Sequence, residues 1–225
     1  MFSRIAPKYD LINRTLSLGM DERVRRKAAA LANLKGQDLV LDLATGTAAM
    51  ALELARRSAR VIGVDFSPEM LTLARKKCAH TKIKLIAADA MTLPFRCGPS
   101  EAGPSGPFDL VTVAFSLRSM GDVKESLRSI KRALRPGGKI IILEFGMPQN
   151  RLIRFLYRIY IRLFVPLIGG LISGKKESYR FLARSILSFS QNNNLKKALE
   201  TSGFQEVHRR PLASGIAEVY IARKS

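Results

Sequence analysis

The chain has 225 residues, 47% of them hydrophobic, and this length suits one α/β domain with a sizeable core better than two ordinary domains. Lysine and arginine number 38 against 18 aspartate and glutamate, so the formal charge is +20 and an anionic partner is expected, either nucleic acid or an acidic membrane face. Two cysteines without metal-ligand spacing exclude a disulfide framework, and a start without an apolar signal segment favours a cytoplasmic protein.

Apolar runs with strand character alternate with helical segments along the chain. This alternation is typical of βαβ units and predicts an α/β fold with a mostly parallel sheet and helices on both faces. A short loop joins the last two runs without room for a crossover helix, so we expect an antiparallel C-terminal hairpin. The seven predicted strands are 38–43, 60–65, 83–88, 108–115, 139–145, 204–209 and 216–222.

Local signals predict where some helices and loops begin and end. A serine followed by proline and glutamate predicts a helix over 68–78. The sequence RPGGK (135–139) is expected to end a helix over 123–134 and to turn into the fifth strand. Proline, glycine and serine dominate residues 96–107, which we interpret as a mobile surface loop.

A loop of small residues follows the first strand, in the sequence LVLDLATGTAAM (39–50). The strand delivers Asp42 at its carboxyl end, and Ala44 and Gly46 are small enough for a ligand to approach the backbone. The next helix is predicted to begin near Thr47, with its free N–H groups facing the ligand. One glycine stands where a dinucleotide fingerprint requires three, so the loop favours a nucleoside over a pyrophosphate.

Two further aspartates end the second and third predicted strands. Asp65 follows Gly46 by 19 residues, where an acid can accept both hydroxyls of an unphosphorylated ribose. Asp89 is within reach of the exocyclic amine of an adenine that lies along the sheet edge. Each aspartate alone is equally compatible with a helix cap or a turn, but together with Asp42 they suit an adenosine that carries a positive charge.

The motifs of this chain resemble those of the class I S-adenosylmethionine-dependent methyltransferases, and more narrowly the UbiE/MenG-type C-methyltransferases of menaquinone and ubiquinone biosynthesis. VLDLATGTA is common to the superfamily, whereas AFSLRS, LEFGMP and the N-terminal YDLIN are specific to the narrower group. The resemblance implies a Rossmann-like class I fold in a single domain, 1–225. It also implies that segment 1–35 covers the cofactor and substrate, and that a helical insertion, 146–190, covers the substrate site.

The resemblance implies S-adenosyl-L-methionine as the cofactor and places several contacts on this chain. Substrate contacts are predicted at Tyr9, for which plain packing is the alternative, and at Phe115 and Ser119, which follow the fourth strand. The position of Ala114 is the least conclusive, because alanine offers only its backbone. Besides Asp42, Ala44 and Gly46 of the loop, the predicted cofactor contacts are Thr47, Asp65, Asp89, Ala90 and Ala114.

The predicted catalytic residue is Arg118, with which the arginine of the family aligns. Methylation of a ring carbon requires an electron-rich ring, which a hydroquinone becomes as a phenol proton leaves. Arg118 is placed to stabilise the developing phenolate or to lower the pKa of a bound water or phenol, and a pairing with a carboxylate such as Asp122 is the alternative. His80 and His208 are remote from the strand ends, so histidine catalysis is not expected, and the chemistry needs no metal.

The predicted function is C-methylation of a polyprenylated quinol, from demethylmenaquinol to menaquinol or its ubiquinone-pathway equivalent. The alternatives are methylation of a sterol, a phospholipid amine or RNA, and a non-catalytic protein that binds a lipid or a partner. AFSLRS lacks the N/D-P-P-Y/F arrangement of nucleic-acid methyltransferases that methylate amino groups, so nucleic acid is not the expected partner. Ala48, Ser119 and 188–194 depart from the family pattern and bear on the substrate more than on methyl transfer. A homodimer is compatible with the sequence, which does not fix the oligomeric state.

The segment 151–172 has the length of a membrane span but contains four arginines. Their spacings of three, four and four place them in one stripe of a helix that Pro166 and the following glycine pair are expected to end. We expect an interfacial helix on an anionic leaflet, hence a cytoplasmic protein at the inner face of the cell membrane. The alternative is a helix packed on the sheet with its arginines in solvent. The stripe consists of Arg151, Arg154, Arg158 and Arg162.

Overall fold

A computed structural model of the chain describes residues 9–57, 60–93, 95, 106–191 and 194–225. Most of the loop predicted at 96–107 lies outside these residues. The strands are β1 Leu39–Leu43, β2 Arg60–Asp65, β3 Lys84–Ala87, β4 Phe108–Ala114, β5 Leu134–Phe145, β6 Phe204–Leu212 and β7 Ala217–Lys224. The helices are α1 Tyr9–Ser17, α2 Met20–Leu31, α3 Ala49–Ala55, α4 Pro68–Cys78, α5 Val123–Ala133, α6 Arg151–Ile159, α7 Val165–Ser173, α8 Lys176–Gln191 and α9 Leu195–Thr201.

The seven strands form one sheet in the order β3-β2-β1-β4-β5-β7-β6. The first five strands pair in parallel, whereas β7 lies antiparallel between β5 and β6. Apolar residues on both faces of the strands pack into two hydrophobic clusters, one beneath α2 and α3 and the other beneath α5 and α9. The prediction of a mostly parallel, seven-stranded α/β sheet with an antiparallel C-terminal hairpin is confirmed.

The order of the strands reverses at β1, which pairs with β2 on one side and with β4 on the other. The connections from these two neighbours leave the sheet in opposite directions, so a crevice forms at their carboxyl ends. Leu43 is in register with both Val64 and Val113, which brings the residues that follow the three strands to the same edge. The aspartates and the small-residue loop predicted from the sequence therefore meet at this crevice.

The fifth strand begins earlier than the sequence indicates. RPGGK was expected as a turn before a strand at 139–145, but β5 begins at Leu134, which pairs with Phe108. The register then shifts before Lys139, and Gly137 adopts a left-handed conformation with φ of 71°. Glycine makes such a bulge sterically accessible. The prediction of a separate turn is therefore wrong, because the strand resumes its pairing on the far side of the bulge.

The predicted helix that starts at Arg151 does not end at Pro166. A π turn over Tyr160–Phe164 joins α6 to α7 without a break, and the N–H of Val165 bonds the carbonyl of Tyr160. Proline is tolerated in the first turn after this irregularity because its missing N–H leaves no helical bond broken there. The helix ends at Gly174, which has φ of 71°.

A third hydrophobic cluster joins this helical layer to α1. Its buried members come from α1, α6, the π turn, α7 and α8. Gly169 is part of this packing and not a stop signal, because a Cβ atom placed there would lie 2.4 Å from ring atoms of Tyr179 on α8. The expectation that the glycine pair ends the helix is therefore wrong, since Gly169 provides the close approach of α7 to α8.

We predict that Gly169→Ala lowers the free energy of unfolding by about 1–3 kcal/mol, because the added methyl group overpacks against the buried ring of Tyr179. Leu171→Ala, on the exposed side of the same helix, should change it by less than about 0.5 kcal/mol. Urea unfolding of both variants measures the difference, and equal effects would show that the α7–α8 contact is not tight.

Candidate active site

A cavity of about 910 Å³ opens at the carboxyl edge of the sheet, between the strand ends and helices α1, α2, α6 and α8. Its volume is that of a site for a cofactor together with a substrate, and apolar side chains form most of its wall. Ten of the twelve site residues predicted from the sequence line it: Tyr9, Ala44, Gly46, Asp65, Asp89, Ala90, Ala114, Phe115, Arg118 and Ser119.

The other two predicted residues line a smaller pocket beside the loop that follows β1. Asp42 is buried, and its two carboxylate oxygens accept hydrogen bonds of 2.6 Å from Thr45 and Thr112. Gly63 on β2 leaves room for Thr45, because a Cβ atom there would lie 3.0 Å from the threonine hydroxyl. Asp42 thus holds the loop in place, and a direct cofactor contact for it stays a prediction.

Thr47 is the second of these residues, and its side chain is turned toward the N-terminal helix. Its hydroxyl donates to Asp10 of α1 at 2.7 Å. The second carboxylate oxygen of Asp10 forms an ion pair with Lys77 of α4 at 2.5 Å. Thr47 therefore ties α1 to the loop, and its contact with the cofactor stays a prediction.

The loop after β1 is held in an unusual backbone conformation. Ala44, Gly46 and Ala48 all have positive φ, of 50°, 57° and 64°. A residue other than glycine costs roughly 1–2 kcal/mol in this region of backbone conformation. At Ala48 the packing of the buried methyl group in the core offsets part of this cost. The N–H of Gly46 donates to Asp65 at 2.7 Å. Strain of this kind is typical of functional sites, where the surrounding contacts over-determine the conformation.

Asp65 and Asp89 both present carboxylates to the cavity. Asp65 accepts from the backbone N–H of Gly46 at 2.7 Å and of Ser67 at 2.9 Å, one bond to each oxygen. Asp89 accepts from the N–H of Met91 at 2.9 Å and is exposed. Each carboxylate oxygen has a second lone pair, so both residues retain acceptor capacity for a ligand.

Arg118 lies in a short 3₁₀ turn after β4 and pairs with a carboxylate that the sequence reasoning missed. Its Nη1 lies 3.0 Å from Glu144 near the end of β5, and the two side chains are 4% and 0% exposed. Glu144 also accepts from the N–H of Phe145 at 3.1 Å. The alternative partner Asp122 instead caps α5. The sequence did contain a signal for this residue, because Glu144 is an acid inside the apolar run KIIILEF.

Two phenylalanines contact the guanidinium of Arg118, one through its ring and one through its carbonyl. The Cζ of Arg118 lies 4.9 Å from the ring centroid of Phe145, and Nη1 also donates to the carbonyl of Phe115. The rings of Phe115 and Phe145 have centroids 4.7 Å apart. Phe115 has φ of 59°, a strained conformation for a bulky residue. The strain turns the chain sharply after β4 and places Phe115 in the cavity wall.

Arg25 of α2 is a second charged residue that the sequence reasoning missed. It is buried, forms an ion pair with Asp21 at 2.8 Å, and places its Cζ 5.1 Å from the ring centroid of Phe115. It lines both the cavity and the smaller pocket. The available signal was its place beside Val24 on the buried stripe of α2.

The remaining predicted positions lie around the rim or away from the site. Tyr9 of α1 lines the cavity, and Ser119 is exposed at its edge. His80 and His208 are exposed and do not line the cavity, and the absence of a catalytic role for either stays a prediction. Across the described ranges, no three histidine, cysteine, aspartate or glutamate side chains are grouped as a metal site would require.

The model of the ubiE/COQ5 methyltransferase family matches residues 1–224 of the chain. The chain belongs to this family. Among its curated relatives, the demethylmenaquinone methyltransferase of Thermus thermophilus is 41% identical, with 98% of each chain covered. The ubiquinone/menaquinone biosynthesis C-methyltransferase UbiE of Geobacter sulfurreducens is 38% identical, over 100% of this chain and 87% of the relative.

Solved structures share the fold of this ubiE/COQ5 family member at lower identity. An S-adenosyl-L-methionine-dependent methyltransferase of Methanococcus maripaludis superimposes with a TM-score of 0.68 at 20% identity, over 99% of this chain and 93% of the other. Phosphoethanolamine N-methyltransferase 2 of Haemonchus contortus, solved with S-adenosyl-L-methionine, gives 0.60 at 16% identity, over 85% and 49%. The fold class, the family and the enzyme class predicted from the motifs are confirmed.

Burial raises the pKa of Asp42 from its ordinary value near 3.8 to about 6, and the hydrogen bonds from Thr112 and Thr45 oppose this rise. The folded state then binds the proton more tightly than the unfolded chain does, so stability falls as pH rises from about 4 through about 6. We predict that the stability advantage of the parent over Asp42→Asn shrinks by about 2 kcal/mol between pH 4 and pH 7. Urea unfolding at several pH values measures it, and a pH-independent difference would contradict the prediction.

Proposed function

We propose that the chain transfers the methyl group of S-adenosyl-L-methionine to a ring carbon of a polyprenyl quinol. The observation that carries this proposal is the buried guanidinium of Arg118 in an apolar cavity whose opposite edge presents Asp65 and Asp89. An apolar wall suits a prenyl tail, and a fixed cation suits a ring oxygen that gains negative charge. The names of the relatives, demethylmenaquinone methyltransferase and UbiE, support the same substrate class.

The residues at the crevice fit the cofactor. S-adenosyl-L-methionine supplies an electrophilic methyl group on a positively charged sulfur. Asp65 has free lone pairs for the two ribose hydroxyls, and Asp89 with Ala90 is placed to receive the adenine. A Cβ atom at Gly46 would meet nothing within 4 Å, so the backbone there is open to a ligand. Asp42 and Thr47 act behind this surface by holding the loop and α1.

Arg118 is the proposed catalytic residue. Loss of the quinol hydroxyl proton to solvent leaves negative charge on the ring oxygen, and Arg118 stabilises this phenolate by a charge-assisted hydrogen bond. The ring carbon then attacks the methyl group with the electron pair of the phenolate, the sulfur leaves as a neutral thioether, and the attacked carbon loses its proton to solvent. Glu144 fixes the guanidinium before the substrate arrives, so little reorganisation is needed in the transition state. Arginine is needed here because its planar guanidinium has several nitrogens. Nη1 is already engaged by Glu144 and Phe115, so another nitrogen must bind the ring oxygen.

Two segments outside the sheet are proposed to cover the site within a single domain, as the resemblance implies. The N-terminal cover, 1–35, contributes Tyr9 and Arg25 to the cavity wall. The helical insertion, 146–190, contributes apolar side chains of α6 and α8 to the opposite wall. Both segments exclude water from the site, which strengthens the interaction of Arg118 with a ring oxygen.

We also propose that the outer face of α6 and α7 lies in an anionic membrane surface on the cytoplasmic side. Arg151–Ser173 is long and apolar enough to span a bilayer, by length and composition only. However, β5 and α8, which flank it, are both part of the same packed structure, so an interfacial position suits it better. The supporting observation is a row of exposed large apolar side chains: Leu152, Phe155, Leu156, Leu163, Leu167 and Leu171.

The arginine stripe lies at the flank of this apolar face. Arg151 and Arg162 are exposed, whereas Arg154 is half-buried and donates to the carbonyls of Pro148 and Gln149. The alternative of a packed helix with its arginines in solvent therefore describes the segment poorly, because its exposed surface is mostly apolar. Arginines beside an apolar face are suited to phosphate headgroups while the apolar side chains insert.

We predict that the purified protein transfers labelled methyl from S-adenosyl-L-methionine to a demethylquinol, and not to phospholipid or RNA pools. Arg118→Lys keeps the charge but loses the planar fork, so turnover should fall about 10- to 100-fold with cofactor affinity nearly unchanged. Turnover is read from labelled product, and affinity from calorimetric titration. Label in phospholipid or RNA would overturn the substrate assignment, and equal losses of turnover and affinity would make Arg118 a cofactor or structural residue.

We predict that two surface variants separate the apolar and electrostatic parts of membrane binding. The triple variant Phe155→Ser, Leu163→Ser and Leu171→Ser should bind neutral and anionic liposomes at least tenfold more weakly, because insertion of each side chain is worth about 1.5–3 kcal/mol. Arg151→Gln with Arg162→Gln should weaken only anionic binding, by about 1 kcal/mol per arginine at low salt. Sedimentation with liposomes measures both. Parent-like binding by the folded triple variant would exclude this face as the anchor.

A further inference from the structure

Four buried side-chain polar atoms have no hydrogen-bond partner among the described residues: Ser116 Oγ, Arg118 Nε, Tyr157 OH and Arg158 Nε. Native proteins leave few such atoms unpaired, because each costs about 1–3 kcal/mol. Ser116, Arg118 and Tyr157 also line the cavity at the end of β4. Three unpaired polar groups in the wall of one apolar cavity indicate that a polar part of a ligand binds among them.

Tyr157 lies on the inner side of α6, opposite to the exposed apolar row, and is 7% exposed. Burial raises the pKa of its hydroxyl strongly, and the charge of Arg118 is the influence that opposes the rise. The hydroxyl is therefore protonated throughout the physiological range, so it is available as a hydrogen-bond donor and not as a base. Tyr157 and Arg118 both line the cavity, which brings a donor from α6 and one from the turn after β4 to the same site.

The contacts of Arg118 leave its Nε–H free for a ligand. Nη1 is engaged by Glu144 and by the carbonyl of Phe115, whereas the Nε–H is buried and unpaired. Ser116 lies two residues before Arg118, directly before the 3₁₀ turn, and adds a second unpaired group from the sheet side. Tyr157 adds a third from the helical side. A ring oxygen between the two sides would satisfy donors from both.

We propose that Tyr157 is a substrate-binding residue whose hydroxyl, together with the Nε–H of Arg118, donates to the same ring oxygen of the quinol. This inference rests on the proposed function and extends it to the helical insertion. The oxygen carries negative charge once its proton has left and before the new carbon–carbon bond forms, so the two donors act as a preorganised site for the reactive phenolate. The hydroxyl of Ser116 contributes a hydrogen bond to the quinol that is weaker than that of Arg118, because serine is uncharged. The helix whose outer face is proposed to meet the membrane thus also supplies part of the active site.

The test compares Tyr157→Phe with the parent enzyme on a demethylquinol. We expect kcat to fall about 10- to 100-fold while the affinity for S-adenosyl-L-methionine is kept. Because the lost hydroxyl is unpaired, Tm should stay the same or rise, unlike the effect of an ordinary buried truncation. Ser116→Ala should lower kcat about three- to tenfold. Combining Tyr157→Phe with Arg118→Lys should cost less than the product of the single losses, since the donors share one oxygen.

The matched control is Tyr220→Phe. Tyr220 is also buried but does not line the cavity, and its hydroxyl donates to Glu218 at 2.7 Å. This variant should lower Tm and keep kcat. A folded Tyr157→Phe enzyme with parent kcat and KM would overturn the inference alone, as would a loss of Tm without a loss of kcat. A parent enzyme that methylates no quinol would overturn the proposed function, and this inference with it.

Discussion

The ion pair between Arg118 and Glu144 connects the turn after β4 to the end of β5 inside the protein. Burial of two charges is expensive, and such a pair persists only where its geometry is good and further hydrogen bonds satisfy it. Here the carboxylate of Glu144 also accepts a hydrogen bond from the backbone N–H of Phe145, and the guanidinium of Arg118 lies over the Phe145 ring. Removal of either partner would leave the other charge buried and unpaired, at a cost of about 3–5 kcal/mol. The position of the Arg118 guanidinium is thus fixed by the register of two central strands.

Left-handed residues cluster at the same edge of the sheet. Ala44, Ala48 and Phe115 all have positive φ although none is glycine, and they follow the two strands at which the sheet order reverses. Strained turns let the chain leave each strand abruptly, so the cavity reaches the strand ends instead of lying above a rounded loop. The surrounding core stabilises these turns, since Ala48 and the residues of β1 are buried. The favourable packing of the sheet core therefore offsets the backbone strain that shapes the site.

Much of the fold and part of the site could be predicted from the sequence. Apolar runs identify the strands because their length and composition are local properties, and an aspartate at a strand end is visible without the fold. The role of Glu144 was not predicted because its partner Arg118 is 26 residues away on another element, so the pairing depends on sheet register. Tyr157 was not predicted because α6 has apolar residues on both flanks of its arginine stripe, and only tertiary packing decides which flank is buried. The helix end predicted at Pro166 was wrong because the neighbouring π turn leaves no helical hydrogen bond for the proline to break.

The π turn over Tyr160–Phe164 sets the rotational phase of the long helix. In a regular helix Tyr157 and Gly169, which are twelve residues apart, would differ by about 120° in direction. The turn takes up roughly one extra residue, which reduces this difference to about 20°. Both residues therefore face inward, and Leu156 and Leu171 share the outer side. If the same residues formed a regular helix without the π turn, α7 would be rotated by about 100°, and the continuity of the apolar row would be broken while every side chain of the row was retained.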